Sequence, residues 1–271
     1  MPALNEITPV QLSRLIGLPD APMIVDMCLP EDFDKAPNLI PGSFRWSHTD
    51  IDALLPRIGA NKAVIVCQKG RKLSQGAAAI LRTQGVSAEY LGGGALGWAG
   101  DGHPMIPAAA IPAPGQGTLW VTRHRPKVER IACPWLIRRF VDRDARFLFV
   151  DPAEVTAVAD RFAGTAFDAP DAPFTHGPDT CTFDAMLEAF GLRTPPLLHL
   201  ATIVRGADLN QPDLAPECAG LLAAYLGLSR MFRDDVAQLE AGLPLYDALY
   251  RWARDARAEV HDRHDAQPVR P

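Results

Sequence analysis

The sequence predicts an α/β domain built on a parallel sheet, followed by an α-rich α+β domain, and three observations carry that reading. Short apolar runs alternate with helical patterns up to about residue 106, and prolines and small residues then replace the periodic pattern. Beyond about Cys181, apolar residues recur at helical spacing. The 271 residues exceed most single cores and suit two domains, each burying its own interior. The first domain is placed at 1–107, a linker at 108–117 and the second domain at 118–265.

Taken in order, MIVDM and KAVIVC read as strands, and the second leads through a loop into a helix from about Lys72 to Gln84. AEYLGG follows as a short strand. Strands separated by helices in this way pair in parallel, because a parallel pair needs a crossover connection. From His103 to Gly117 the chain reads HPMIPAAAIPAPGQG, a Pro-rich linker pattern. LWVTR and RFLFV then read as strands on either side of a helix from about Val128 to Asp142. FDAMLEAFG, PLLHLATIVRG, CAGLLAAYLG and LPLYDALYRWARDA carry apolar residues at helical spacing, and the polar tail after His261 reads as frayed.

With 48% hydrophobic and 22% charged residues and a formal net charge of -5, the chain has no general attraction to nucleic acid, so any basic site must be local. No apolar run approaches the ~20 residues of a membrane span. The start MPALNEITPV lacks the basic and apolar regions of a signal peptide, so a cytoplasmic protein is expected. Cys28, Cys67, Cys133, Cys181 and Cys218 are odd in number and form no CxxC pair, which argues for reduced thiols and against a zinc ribbon.

One loop carries the clearest chemistry. VIVCQKGRKLSQG puts Cys67 at the end of an apolar strand and sends the chain through a Gly-containing turn into a helix. Loop amides from Gln68 to Leu73, through Gly70, would face the sulfur, and Lys69, Arg71 and Lys72 add positive charge, so a thiolate is favoured. The same cradle would hold an oxyanion or a persulfide. A buried structural cysteine is the alternative, but three cations and a glycine within five residues are odd neighbours for an inert thiol.

In the second domain Arg123, His124, Arg125, Lys127, Arg130, Arg138 and Arg139 cluster on one strand, turn and helix. They form either an oxyanion site, with Arg125, Lys127, Arg130 and Arg138 as binding residues, or a solvated cationic face. His176, Cys181 and Asp184, with Asp208 and Glu217, are candidate donors for iron, manganese or zinc, although their spacing matches no strong metal motif. The alternative is that Thr180 or Thr182 caps a helix whose first turn holds Asp184. His199, inside PLLHLATIV, reads as a satisfied core histidine.

Four words of the first domain, IVDMCLPEDF, LIPGS, CQKGRKLS and YLGGGALGW, resemble the rhodanese family over roughly the first 106 residues. The resemblance implies a sulfurtransferase in which Cys67 accepts sulfur with Arg71 and Lys72 beside it, residues 68–73 form the anion cradle, and Asp26 organises structure. It implies no cofactor, and partners that are a sulfane-sulfur donor or other small oxyanion and a thiol acceptor. Cys28 stands where many members carry Arg and is either a resolving thiol or a core residue. Lys72 also replaces a common Arg and cannot form its bidentate fork. RPKVERIACPWLIRRFVD, THGPDTCTFDAM, IVRGADLNQPDLAPECAGL and GLSRMFRDD resemble the C-terminal domain of the chromate resistance protein family ChrB, over about Thr118 to Ala258. That implies a role in chromate, oxyanion or thiol stress, as sulfurtransferase, thiol-based chromate reductant or chromate-responsive sensor. The first domain carries no helix-turn-helix with a basic recognition helix, so DNA binding is not expected.

Overall fold

The computed structural model describes residues 4–112 and 117–259. Residues 113–116 of the expected linker, and the tail after His261, lie outside the described residues. The chain opens with strand β1 (Glu6–Ile7) and helix α1 (Pro9–Ser13), whose start is fixed by a capping box between Thr8 and Gln11. There follow β2 (Met23–Asp26), α2 (Pro30–Phe33), β3 (Asn38–Leu39), β4 (Ser43–Arg45), α3 (Ile51–Ile58) and β5 (Ala63–Val66). The first domain ends with α4 (Lys72–Thr83), β6 (Ala88–Leu91), α5 (Gly94–Gly100) and β7 (Ile106–Pro107).

Five of these strands form a parallel sheet in the order β1-β6-β5-β2-β4. MIVD and AVIV are buried at every position, as strands covered on both faces must be. Alternate residues serve opposite faces. Val25 and Ile65 pack with Leu54, Ile58, Ala78 and Leu81 of α3 and α4. Ile24, Val64 and Val66 belong instead to a cluster that holds Leu12 and Trp98 and continues into the second domain through Trp135, Phe140 and Tyr250. The start of the expected linker is part of this first unit. Ile106 and Leu39 pair antiparallel, Ala108–Ala110 form a 3₁₀ turn, and Ile106 and Ile111 reach the apolar core on either side of it.

The second domain begins with β8 (Leu119–Arg123) and α6 (Val128–Leu136). The predicted helix to Asp142 continues past Pro134 as a π-helical turn over Ile137–Val141. β9 (Arg146–Val150), α7 (Val155–Arg161) and β10 (Thr165–Ala166) complete a three-stranded parallel sheet in the order β10-β8-β9. The remainder is helical, with α8 (Thr182–Ala189), α9 (Pro195–Asp208), α10 (Cys218–Met231) and α11 (Asp235–Asp255). α11 starts eight residues before the expected Leu243, because Asp234 caps it by accepting from the Ala237 amide, and it runs on through Pro244.

The two parts share tight contacts. Gly17, at φ +83°, leaves no room for a Cβ, which would lie 2.4 Å from the Phe140 ring and 2.7 Å from Tyr250. The Gly42 amide donates to the Phe140 carbonyl, Arg57 pairs with Asp144 at 3.0 Å, and Arg254 donates to the Arg14 carbonyl at 3.0 Å.

Candidate functional site

Cys67 follows the last residue of β5, a central strand, at the C-terminal edge of the sheet where open parallel sheets place their binding sites. The chain must reverse there without blocking the sulfur, and glycines make this possible. Gly70 has φ +63°, and a Cβ on it would lie 2.4 Å from the Leu91 carbonyl oxygen. A Cβ on Gly94 would lie 2.1 Å from the Cys67 carbonyl oxygen. The YLGGG word therefore packs directly beneath the loop. The Ala95 and Leu96 amides take the carbonyls of Cys67 and Gln68, each at 3.0 Å, anchoring the loop from behind.

This arrangement acts on the thiol. Burial opposes ionisation, yet the hydroxyl and amide of Ser74 and the amides of Arg71 and Lys69 outweigh it and hold Cys67 below the ordinary thiol value. Ser74 Oγ lies 3.1 Å from the sulfur. The cavity at the sulfur, about 430 Å³, is lined by exposed Lys69, Arg71 and Lys72, by half-buried Gln68 and Leu73, and by Leu29 and Asp32. Ser74 was not singled out in the sequence. Its signal is a serine on the apolar face of α4, fully buried among Ala77, Ala78 and Leu81.

Asp26 is buried and accepts from the Cys28 amide at 2.7 Å, a structural task. The Cys28 carbonyl accepts from Arg45 at 2.9 Å. Burial and the Asp26 carboxyl push the Cys28 thiol far up, so it is a poor nucleophile.

The basic cluster of the second domain is not gathered into one anion site. Arg123 and Arg130 pair with Asp168 at 2.7 and 3.1 Å, Arg138 pairs with Glu240, and Arg139 pairs with Asp247. Arg130 also donates to the His124 carbonyl at 2.9 Å. Arg125 and Lys127 are exposed at the turn before α6, where the Arg125 amide is held by Asp235. Arg123, Arg130, Arg138 and Arg139, read as part of one group along the sequence, are divided among acidic partners from distant segments.

Of the expected metal donors, His176 and Asp208 come together, and Cys181, Asp184 and Glu217 do not join them. Cys181 is buried, and its thiol donates to Asp184 at 3.3 Å, while Asp184 pairs with Arg205 at 2.7 Å. His199 is half-buried against Trp252 with its Nε2 unpartnered, so it is not a satisfied core histidine. The His176 Nε2 meets Glu129 Oε1 at 2.5 Å, Asp168 Oδ1 at 3.1 Å and Asp208 Oδ2 at 3.9 Å. Glu129 and Asp168 are each about 2% exposed, and Asp168 adopts left-handed backbone at φ 50°. Burial raises the Glu129 and Asp208 carboxyls, and the hydrogen bond to Glu129 pushes His176 up to about 9. The sequence reading missed Glu129 and Asp168; for Glu129 the available signal was a lone carboxylate in the apolar helix VERIACPWL.

Residues 120–253 match the family model of the ChrB C-terminal domain. The second domain is thus similar to the ChrB C-terminal domain over these residues. Over 140 residues the chain is 35% identical to Protein ChrB of Cupriavidus metallidurans, a match spanning 51% of this chain and 42% of that protein. For the first domain, similar solved structures include a rhodanese-related protein of Thermoplasma volcanium, with 19% identity, a TM-score of 0.33, and 37% of this chain against 96% of that one. Thiosulfate sulfurtransferase of Pseudomonas aeruginosa gives 24% identity, a TM-score of 0.34, and 38% of this chain against 19% of that one. A rhodanese-like domain protein of Staphylococcus aureus gives 24% identity, a TM-score of 0.32, and 35% of this chain against 91% of that one. The ChrB-type domain thus holds the Glu129 nest, and the Cys67 loop lies before it. Among the described residues, no helix is long and apolar enough to cross a membrane.

Proposed function

We propose that the chain is a rhodanese-type sulfurtransferase joined to a chromate-resistance domain, acting in cytoplasmic chromate, oxyanion or thiol stress. The single observation that carries this reading is the Cys67 thiol, held toward its ionised form by Ser74 and loop amides in a cation-lined cavity. The thiolate attacks the outer sulfur of a sulfane donor such as thiosulfate. A Cys67 S–S bond forms, the donor S–S bond breaks, and sulfite leaves with the electron pair. The loop amides from residues 68–73 hold the terminal persulfide sulfur, and Arg71 and Lys72 attract the incoming and departing anions. A thiolate or cyanide acceptor then attacks that sulfur and returns Cys67 to the thiolate. No cofactor is needed in these two steps.

The test is sulfur transfer from thiosulfate to cyanide by the full chain and by Cys67→Ala. Repeated turnover that Cys67→Ala abolishes supports the reading, and its absence in the wild-type chain removes it. A sensor without turnover is the second reading, favoured by the apolar cluster that runs from the first domain into the ChrB-type domain. A sensor would bind or react once per chain and change shape, whereas a sulfurtransferase releases product repeatedly.

A further inference from the structure

The Glu129 nest differs from a surface acidic patch in how its atoms are held. Each of two carboxylates gives one oxygen to a backbone amide and turns the other toward a single point. Glu129 Oε2 accepts from the Thr182 amide at 2.8 Å, leaving Oε1 to face His176. Asp208 Oδ1 accepts from the Glu129 amide at 3.4 Å, leaving Oδ2 to face the same imidazole. One ligand atom from each of Glu129, His176 and Asp208 lies within 4.8 Å of the others. Outer hydrogen bonds that fix the free lone pairs of a carboxylate are what a metal site requires of its surroundings. Asp168 Oδ1 also lies 3.1 Å from the imidazole, but Arg123 donates to both Asp168 oxygens and Arg130 pairs with Oδ2, so this carboxylate is committed to the guanidinium groups.

A second observation lies on the residue that anchors Glu129. Thr182, whose amide holds Glu129, is completely buried, and its Oγ1 has no hydrogen-bond partner. A buried hydroxyl left unpaired, on the residue whose amide holds Glu129, carries a desolvation cost that a hydrogen-bonding ligand or its water would relieve. His176, by contrast, is about one-third exposed, which gives an ion a path in from solvent.

We infer that Glu129 Oε1, Asp208 Oδ2 and His176 Nε2 form a site for one divalent first-row transition ion, completed by water. Two carboxylate oxygens and one imidazole nitrogen make a hard-to-intermediate donor set, suited to manganese, ferrous iron or zinc rather than to copper(I). Three protein donors leave the remaining positions open, the pattern of a reactive rather than a closed structural site. The inference is independent of sulfur transfer, since none of the three residues belongs to the Cys67 loop.

The test uses manganese(II) as probe with the metal-stripped full chain, followed by calorimetry and by electron paramagnetic resonance of the free ion. The wild-type chain should bind one equivalent and melt at a higher temperature with the ion present. His176→Gln, at the most accessible of the three positions, should weaken binding at least tenfold while keeping the wild-type circular dichroism. Glu129→Gln preserves shape and should weaken it further. Zinc in place of manganese should compete for the same equivalent. No binding by the wild-type chain up to millimolar manganese would overturn the site, as would one equivalent bound equally by the folded His176→Gln variant.

Discussion

The Cys67 loop and the Glu129 nest both hold charge at the margin of an apolar core, and they do so by opposite means. The loop gathers its donors from residues 67–74 and uses backbone amides, with one side-chain hydroxyl, to favour a negative sulfur. The nest draws side chains from β8, α6, α9 and the loops between them, with Glu129 and Asp208 79 residues apart, and balances carboxylates against two guanidinium groups and an imidazole. Backbone donors come with the turn itself and are sensitive to anything that moves the chain. Side-chain charges are sensitive to deletion, because a buried partner left alone must bear its own desolvation.

That contrast predicts different failures, beginning with the largest. Cys67→Ala should lower sulfur transfer by roughly 10³-fold or more while leaving the melting temperature near wild type, since the reaction loses its nucleophile and the fold loses one small side chain. Transfer rates and thermal melts on the same preparation check both halves.

Asp168→Ala should do the reverse, destabilising the ChrB-type domain by about 3–5 kcal/mol in urea unfolding, because Arg123 and Arg130 lose a shared, buried partner. A loss under about 1 kcal/mol would mean that the nest is screened like a surface ion pair. Gly70→Ala should combine the two patterns. Its positive φ and the 2.4 Å approach to the Leu91 carbonyl predict a cost of about 1–3 kcal/mol and a displaced cradle. Transfer activity should therefore fall even in the fraction that remains folded.

The smallest effect concerns pH. The thiolate is the reactive form, so a Cys67 pKa held below its ordinary value keeps alkylation fast to lower pH than for a free thiol, and the rate falls as pH drops through that value. Ser74→Ala should move this inflection upward and slow alkylation roughly tenfold at neutral pH, about the contribution of one hydrogen bond to a charged group. Iodoacetamide kinetics against pH, with Cys67 followed by peptide mass spectrometry, measure this directly. Cys28 should stay unmodified across the same range, since burial raises its thiol.

What the sequence made legible follows the same division. The strands MIVD and AVIV, the helix from Lys72 and the strand at Ala88 were readable because local periodicity decides them. The Cys67 loop was readable because its chemistry is contiguous. Ser74 was passed over because a serine on a buried helix face looks like a packing residue until the sulfur is placed beside it. Arg123, Arg130 and Arg138 read as one cationic group because sequence proximity shows charges and not their distant partners, Asp168 and Glu240. His176 and Asp208 were both noticed, but in one set with Cys181, Asp184 and Glu217, and without Glu129. The partners of His176 in space, Glu129 and Asp208, enter from two helices that only tertiary packing brings together.

The most direct test of the central claim is the mass of the Cys67 peptide after the full chain meets thiosulfate without an acceptor. The account predicts a gain of one sulfur atom on Cys67, discharged when cyanide is added and absent from Cys67→Ser. An unmodified Cys67, or sulfur that cyanide does not remove, would contradict it.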